Sequence, residues 1–400
     1  MSNTLLTISQ ITNEALAVLE NQLTFTKHIN REYDDQFARE GAKIGQTVNV
    51  RKPARFEGRR GPTINVEGFN ESSVPVTLDT QYGCDVSFTS KELTLDIDSF
   101  SDRVLKPQIA TVANMIDRDG LQLYKDIYNH VGTPGTTPNT NLTYLLAGVK
   151  MDNEAAPVDD QRACVINPLA QATISNANLT LQNPAKTISE QYMSGRMGRA
   201  LGFKFDMDQN VVSHTIGTHG GTPLVNGAVT SGSTIVTDGW GASNTLNAGD
   251  VITIAGVFAV NPQNRQSTGE LRQFVVTSNA TADGSGNMTI NVAPEIVTSG
   301  QNQTVTAGLA NNAAITVFGA SGTASPQNLA FHKDAFTFAC ADLELPSGVW
   351  MAKRVTSKRL GMSMRVVKAY DITNDRAPMR IDLLGGWKTL RPELAARISG

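Results

Sequence analysis

The side chains with the most obvious chemical potential lie close together near the middle of the chain. Asp206-Met207-Asp208 is followed by His214 and His219, which places four hard or borderline donors within fourteen residues. On a strand, Asp206 and Asp208 share a face, and carboxylates with imidazoles at such spacing are the donors a divalent ion takes. The residues that follow are Gln209, Asn210 and a Gly/Thr-rich stretch, and no second donor pair at ligand spacing occurs elsewhere. The group therefore reads as a polar strand end and loop, and neither a metal nor another cofactor is expected. A nucleophilic site needs Ser or Cys held by His and a carboxylate. Five histidines are available (His28, His130, His214, His219, His332), and no local pattern gathers them. The phosphate-binding GxxxxGK[ST], HExxH and GxSxG motifs are all absent, so no catalytic motif with a known mechanical basis points to an enzyme. Cys84, Cys164 and Cys340 stand far apart without CxxC spacing, the pattern of reduced thiols and not of a disulfide framework.

Basic residues form two clusters. Arg51, Lys52, Arg55, Arg59 and Arg60 end at Gly61-Pro62, a turn signal, and Arg354, Lys358, Arg359 and Arg365 form the second cluster without interleaved aromatics. Either is a solvated face or a contact for acidic partners or phosphate. Net charge is -3, so no global positive field draws the chain to nucleic acid or an anionic surface. No apolar run approaches the ~18 residues of a membrane span, and the first residues lack a basic region followed by an apolar core. The protein is expected to be made and kept in cytoplasm.

Positioning these groups requires more than one compact unit, because 400 residues exceed the size at which a single core stops growing. Ile8, Ile11, Ala15, Leu19 and Leu23 mark an amphipathic helix. Thr47 to Phe56 alternates as a strand, Ser73 to Leu78 is its return limb, and Gly83 to Phe88 is a further strand. Ile109, Ala113, Ile116, Gly120, Leu123 and Ile127 draw a long helix that starts near Asp102 and places Asp117, Arg118, Lys125 and Asp126 on its polar side. Between Leu145 and Val212 helix and strand signals alternate: a buried strand over Arg162 to Asn167, then helices over Pro168 to Asn176 and Ser189 to Arg199. Thr222 to Ala320 holds only seven charged side chains and no lysine. Its β-type runs, Ser233 to Val236, Val251 to Val260, Gln273 to Thr277 and Met288 to Val292, have the spacing of an antiparallel barrel or sandwich. It reads as an inserted all-β domain whose flanks meet near Gly217 and Gly319. Strands over Ser363 to Tyr370 and Ala377 to Leu384 follow, and the fold class is α+β.

This order of parts, with Gly198-Arg199-Ala200-Leu201-Gly202-Phe203, Gly249-Asp250-Val251-Ile252-Thr253-Ile254-Ala255-Gly256-Val257 and Arg391-Pro392-Glu393, resembles the major capsid proteins of tailed bacteriophages, specifically the P22 coat protein family. The resemblance implies an HK97-type capsid fold: an N-terminal arm (1–44), an extended E-loop (45–80), a peripheral domain with a spine helix from Asp102 to His130 (81–135), and an axial domain (136–220). An inserted barrel-like β domain (221–320) and the returning axial and peripheral part (321–400) complete it. It implies a non-enzymatic coat subunit that forms hexamers, pentamers and an icosahedral shell around double-stranded DNA. Its expected partners are itself, a scaffolding protein, a portal protein and weakly held DNA, with no membrane. Arg51, Lys52, Arg55, Arg59 and Arg60 then become candidates for pairing with Asp34, Asp35 and Glu40 of an adjacent subunit. The other reading is a soluble tail or receptor-binding module that holds carbohydrate on the β segment. Only Trp240 of the three tryptophans lies there, a poor platform for sugars.

Overall fold

The computed structural model describes residues 15–19, 22–31, 47–56, 58, 61–64, 66, 68, 71–89, 104–179, 195–356 and 362–399. The chain divides into two compact units, each built from discontinuous segments.

The first unit takes residues 1–51, 73–120 and 336–388. Thr47–Arg51 pairs antiparallel with Ser73–Thr77, and Val48, Val50 and Val76 point inward while their neighbours face out, so the alternation read in the sequence is that of a half-buried ribbon. A five-stranded antiparallel sheet runs in the order Phe336–Ala341, Arg376–Thr389, Ser363–Lys368, Met351–Thr356, with Thr80–Thr89 also on Arg376–Thr389. Helix α1, Lys106–Leu121, buries Ile109, Val112, Ala113 and Ile116. Pro107 is tolerated because a first-turn N–H has no intrahelical acceptor.

Two expectations for this helix need correction. Asp117 was expected on the polar side and is instead 2% exposed, because it serves as the acceptor for the preceding chain: Thr24 N (2.6 Å), Thr26 N (3.1 Å) and Thr26 Oγ1 (2.5 Å). The helix also does not reach His130. It tightens into a 3₁₀ turn over Gln122–Asp126, Ile127 is extended, and His130–Gly132 is a strand. Leu121, Tyr124 and Ile127 all stay buried, since a three-residue step is the 3₁₀ period as well as part of the α stripe. Of the opening helix, residues 15–19 and 22 are described as helical and Ala15, Leu19 and Leu23 are buried; Ile8 and Ile11 lie outside the described residues.

The second unit takes residues 52–72, 121–335 and 389–400. Its seven-stranded mixed sheet runs His130–Gly132, Ala395–Ser399, Ala324–His332, Arg162–Ile166, Phe203–Met207, Arg199–Ala200, with Ser213–Thr215 also on Ala324–His332. Helix α2, Asn141–Asn153, was not anticipated, because apolar residues on two opposite sides of it leave no single stripe to read; helix α3 is Pro168–Leu179. No helix covers the described part of Ser189 to Arg199. Gly195 and Gly198 take positive φ, which ends regular structure there, and Arg199 begins a strand.

Residues 221–317 pair among themselves in an antiparallel sheet ordered Ile315–Val317, Val251–Val260, Ser267–Val276, Met288–Val297, Ser231–Trp240, Gly221–Val225. Ile235, Ile252, Phe274, Ile290 and Trp240 belong to a core cluster drawn wholly from this segment. At its base His219 Nε2 is 3.2 Å from the Gly319 carbonyl, and His219 N donates to Ser321 Oγ at 3.0 Å.

Candidate functional site

The four donors that lie close in sequence are distributed in the fold. Asp206 lies on Phe203–Met207; Asp208 is 4% exposed and accepts from Asn210 N at 2.7 Å; His219 meets Gly319. Burial raises the Asp208 pKa above the ordinary carboxylate value. Among the described residues no three His, Cys, Asp or Glu side chains gather as metal ligands. His214 instead joins a buried line of polar groups. Its Nε2 is 2.8 Å from Asp250 Oδ1 and its Nδ1 is 3.0 Å from Tyr124 Oη. Asp250 Oδ2 accepts from Asn247 N (2.7 Å) and Gly217 N (3.1 Å), which fixes the turn leading into Val251–Val260. Gly249 in that turn has φ +105, and a Cβ there would press on His214 and Lys125, so glycine is required on both counts.

With Asp250 ionised, Nε2–H donates to the carboxylate and Nδ1 accepts the tyrosine hydroxyl. The connectivity is that of an acid–base relay, but Tyr124, His214 and Asp250 are 2%, 6% and 1% exposed and the adjoining cavity is about 10 Å³, room for about one water. Burial raises the Tyr124 pKa and keeps the hydroxyl protonated. The line can order the base of the β segment; it has no space for a substrate. Arg397, 1% exposed, lies over the Tyr124 ring at 5.6 Å, and burial pulls its pKa down to about 10. His130 Nε2 is 2.6 Å from Ser399 Oγ, and Gln273 bridges the His130 N–H (2.8 Å) and carbonyl (2.9 Å). Sequence reasoning missed this centre because its members come from four distant segments; the Asn247–Asp250 turn with its glycine was the available signal.

The basic run reaches a different environment. Arg51 ends the ribbon and is exposed, and Lys52 N donates to Ser72 O at 2.8 Å. Arg55 Nη2 lies 3.4 Å from Glu393 Oε1, which also meets Arg391 Nε at 3.2 Å. Arg59, Arg60, Asp34, Asp35 and Glu40 lie outside the described residues. Lys52, Arg55, Glu154, Arg272, Arg391 and Glu393 line a cleft of about 640 Å³. Within it Arg272 forms an ion pair with Glu154, both side chains under a tenth exposed, and stacks on Tyr128 at 4.4 Å. Burial raises the Glu154 pKa despite the arginine beside it. Basic and acidic groups thus alternate, which suits contact with protein more than with phosphate. The second cluster is engaged within the chain too: Arg354 pairs with Asp342 at 3.2 Å and Arg365 with buried Asp382 at 2.7 Å, while Lys358 and Arg359 are outside the described residues.

A family model described as "P22 coat protein - gene protein 5" matches residues 1–400. No curated protein matches the chain. Among solved structures, one from Mycobacterium phage Che8 is 10% identical over 94% of this chain and 91% of that one, with a TM-score of 0.48. The capsid of Cyanophage P-SCSP1u is 11% identical over 88% and 83%, with a TM-score of 0.44. A virus-like particle from Pyrococcus furiosus is 8% identical over 98% of both chains, with a TM-score of 0.41. The match of the family model spans the ribbon, both helix-bearing regions and the charge-poor β segment alike, and the chain belongs to the P22 coat protein family, the major capsid proteins of tailed bacteriophages.

Proposed function

We propose that the chain is the repeating subunit of an icosahedral shell on the HK97 plan, assembling through hexamers and pentamers around double-stranded DNA. The observation that carries the reading is the coat-family match over residues 1–400. On this plan 1–44 is the N-terminal arm, 45–80 the E-loop, 81–135 the peripheral domain with its spine helix, 136–220 and 321–400 the axial and returning parts, and 221–320 an inserted β domain. The self-contained pairing and core of residues 221–317 support that last boundary. A subunit that occupies several related environments needs broad contacts of modest strength, which loops and arms supply better than one tight pocket. Arg51, Lys52, Arg55, Arg59 and Arg60 are then contact residues toward Asp34, Asp35 and Glu40 of a neighbour. Arg55 is shared with Glu393 of its own chain and is 30% exposed, which leaves it able to reach outward. A net charge of -3 suits a container whose DNA must stay mobile, with scaffolding and portal proteins as further partners and assembly in the host cytoplasm.

Expression of the chain and electron microscopy test the proposal in two arms. The unaltered protein is expected to give closed shells or capsomer-like rings, and a protein that stays monomeric under all assembly conditions refutes the shell reading. Reversal of Arg55, Arg59 and Arg60 to Glu is expected to reduce assembly while circular dichroism of the monomer is unchanged; a loss of secondary structure would show that these residues serve folding instead.

A further inference from the structure

Three neighbouring strands of the second unit bring polar side chains to one face of its sheet. Arg397 stands opposite His130 in the parallel pair and opposite Leu329 in the antiparallel one, where Gln327 pairs with Ser399 two residues on. Residues opposite each other, or two apart along a strand, project to the same side. His130, Arg397 and Gln327 therefore share that side, and they are 5%, 1% and 2% exposed. Each carries a buried polar atom with no protein partner among the described residues: all three guanidinium nitrogens of Arg397, Oε1 of Gln327 and Nδ1 of His130. Buried groups of this kind are satisfied by protein or by ordered water in nearly all native structures. The three do not satisfy one another. Gln327 Nε2 donates to Ser325 O at 3.2 Å and to Ser325 Oγ at 3.0 Å, which uses both amide hydrogens and fixes where Oε1 points. His130 Nε2 is committed to Ser399 Oγ at 2.6 Å. Asp250 brings a compensating negative charge, but its oxygens already take His214 Nε2–H and the N–H groups of Asn247 and Gly217. His130, Arg397, Gln327 and Asp250 all line the cavity of about 10 Å³.

We infer that this cavity is a binding site for one water molecule, which accepts from Arg397 and donates to Gln327 Oε1 and His130 Nδ1. A cavity of this size takes about one water, and a buried water makes about two to four hydrogen bonds, which these residues supply. The chemistry of the lining selects the ligand. It must accept on one side and donate on two others. A halide or other small anion cannot donate, and it would meet three acceptors: Gln327 Oε1, His130 Nδ1 and the Asp250 carboxylate. A metal ion or ammonium would meet the Arg397 guanidinium. Water accepts and donates, and it adds no charge to Arg397 and Asp250, whose charges already cancel. The assignment also fixes the His130 tautomer, since an Nδ1 that receives the water leaves the proton on Nε2, donated to Ser399 Oγ. His130–Gly132, Ala395–Ser399 and Ala324–His332 are then joined through side chains and solvent as well as through their ladders.

Crystals of the unaltered full chain, grown in chloride and then soaked in bromide, test the inference without a variant that has to fold. The expected result is a single peak about 2.7–3.2 Å from a guanidinium nitrogen of Arg397, from Gln327 Oε1 and from His130 Nδ1, with no bromide anomalous signal. An anomalous peak at the site would show a halide and overturn the inference. The lack of any peak, with Arg397 bonded directly to Gln327 or without that bond, would overturn it as well. Neutron diffraction from the same crystals reads the tautomer. The proton of His130 is expected on Nε2, and a proton on Nδ1 would make the imidazole a donor to the water and refute the arrangement. None of these outcomes depends on the shell reading.

Discussion

Replacement of Asp117 by Ala is expected to be among the most destabilising single changes in the first unit. The carboxylate accepts from two backbone N–H groups and one hydroxyl of the Thr24–Thr26 segment, at 2.6, 3.1 and 2.5 Å, and is 2% exposed. A hydrogen bond to a charged group contributes about 1.5–3 kcal/mol, and a buried donor left without an acceptor costs about 1–3 kcal/mol. Thr24 N is only partly buried, and water can replace its lost acceptor; Thr26 N and Oγ1 are fully enclosed and cannot be rehydrated in place. The three contacts share one carboxylate and do not simply add, so the expected loss is about 3–5 kcal/mol, at the upper end for a point change. At about 2–4 °C per kcal/mol for a unit of this size, melting falls by roughly 6–20 °C. Thr26→Val, which removes only the hydroxyl contact to the carboxylate, is expected to cost about 1.5–3 kcal/mol. Calorimetry of the unassembled subunit, run on both single variants and the double variant, measures the coupling. A loss below about 1 kcal/mol for Asp117→Ala, or a cycle additive within about 0.5 kcal/mol, would refute this account of why an acid sits on the apolar side of α1.

Gly120 lies in the last turn of α1, where glycine costs a helix about 1 kcal/mol relative to alanine. A Cβ there would come 2.6 Å from the Trp387 ring and 2.8 Å from that of Phe25, so Gly120→Ala is expected to lower the melting temperature by an overpacking cost of about 1–3 kcal/mol. A rise in melting temperature would show that propensity outweighs packing. Acidification should weaken the second unit through His130. Burial, with the charge of Arg397, holds its pKa well below 6.5, so the unfolded chain binds a proton near pH 6.5 that the native chain refuses. Stability from this site is complete above about pH 6.5 and falls below it by up to about 1.4 kcal/mol per pH unit until the native imidazole titrates. Glu154, whose pKa burial raises, acts in the opposite sense, and a His130→Gln variant shares that contribution. Denaturant midpoints at pH 7.5, 6.5 and 5.5 should therefore fall more steeply for the unaltered chain than for the variant, and equal slopes would remove His130 as the cause.

What was legible in the sequence was set by local pattern. Val251–Val260 has the bounds expected of it, because Gly249 and Asn261 delimit an uninterrupted β-favouring run. The ribbon of Thr47–Arg51 and Ser73–Thr77 follows from alternation too, but its first strand, read on to Phe56, ends at Arg51, shortly before Pro53, which has no N–H for a ladder. Where environment overrode pattern, reading failed. Asp117 lies on the buried side of α1 because its partners arrive from 91 and 93 residues away, and no spacing rule reports that. Helix α2 was obscured because its apolar residues lie on two opposite sides. Arg55 was read as facing outward only, since Glu393 is 338 residues distant in the chain. His214 was grouped with Asp206 and Asp208 by proximity, whereas the fold gives it to Asp250 and Tyr124.

The placement of Ala395–Ser399 inside its sheet, between His130–Gly132 and Ala324–His332, has a consequence for the timing of synthesis. During translation the edges of those two strands wait without their central neighbour until the ribosome has reached residue 399. Residues 221–317 contain their own strand partners, and the outside groups they meet, His130, Glu154 and His214, precede them, so this segment can close some eighty residues earlier. The unit is thus made in two stages, an early local one and a late closure that brings Ala395–Ser399 to the distant His130–Gly132, the kind of pairing that folds slowly. A nascent coat subunit cannot present its finished sheet to other copies before residue 399 has been made, which separates folding from assembly in time.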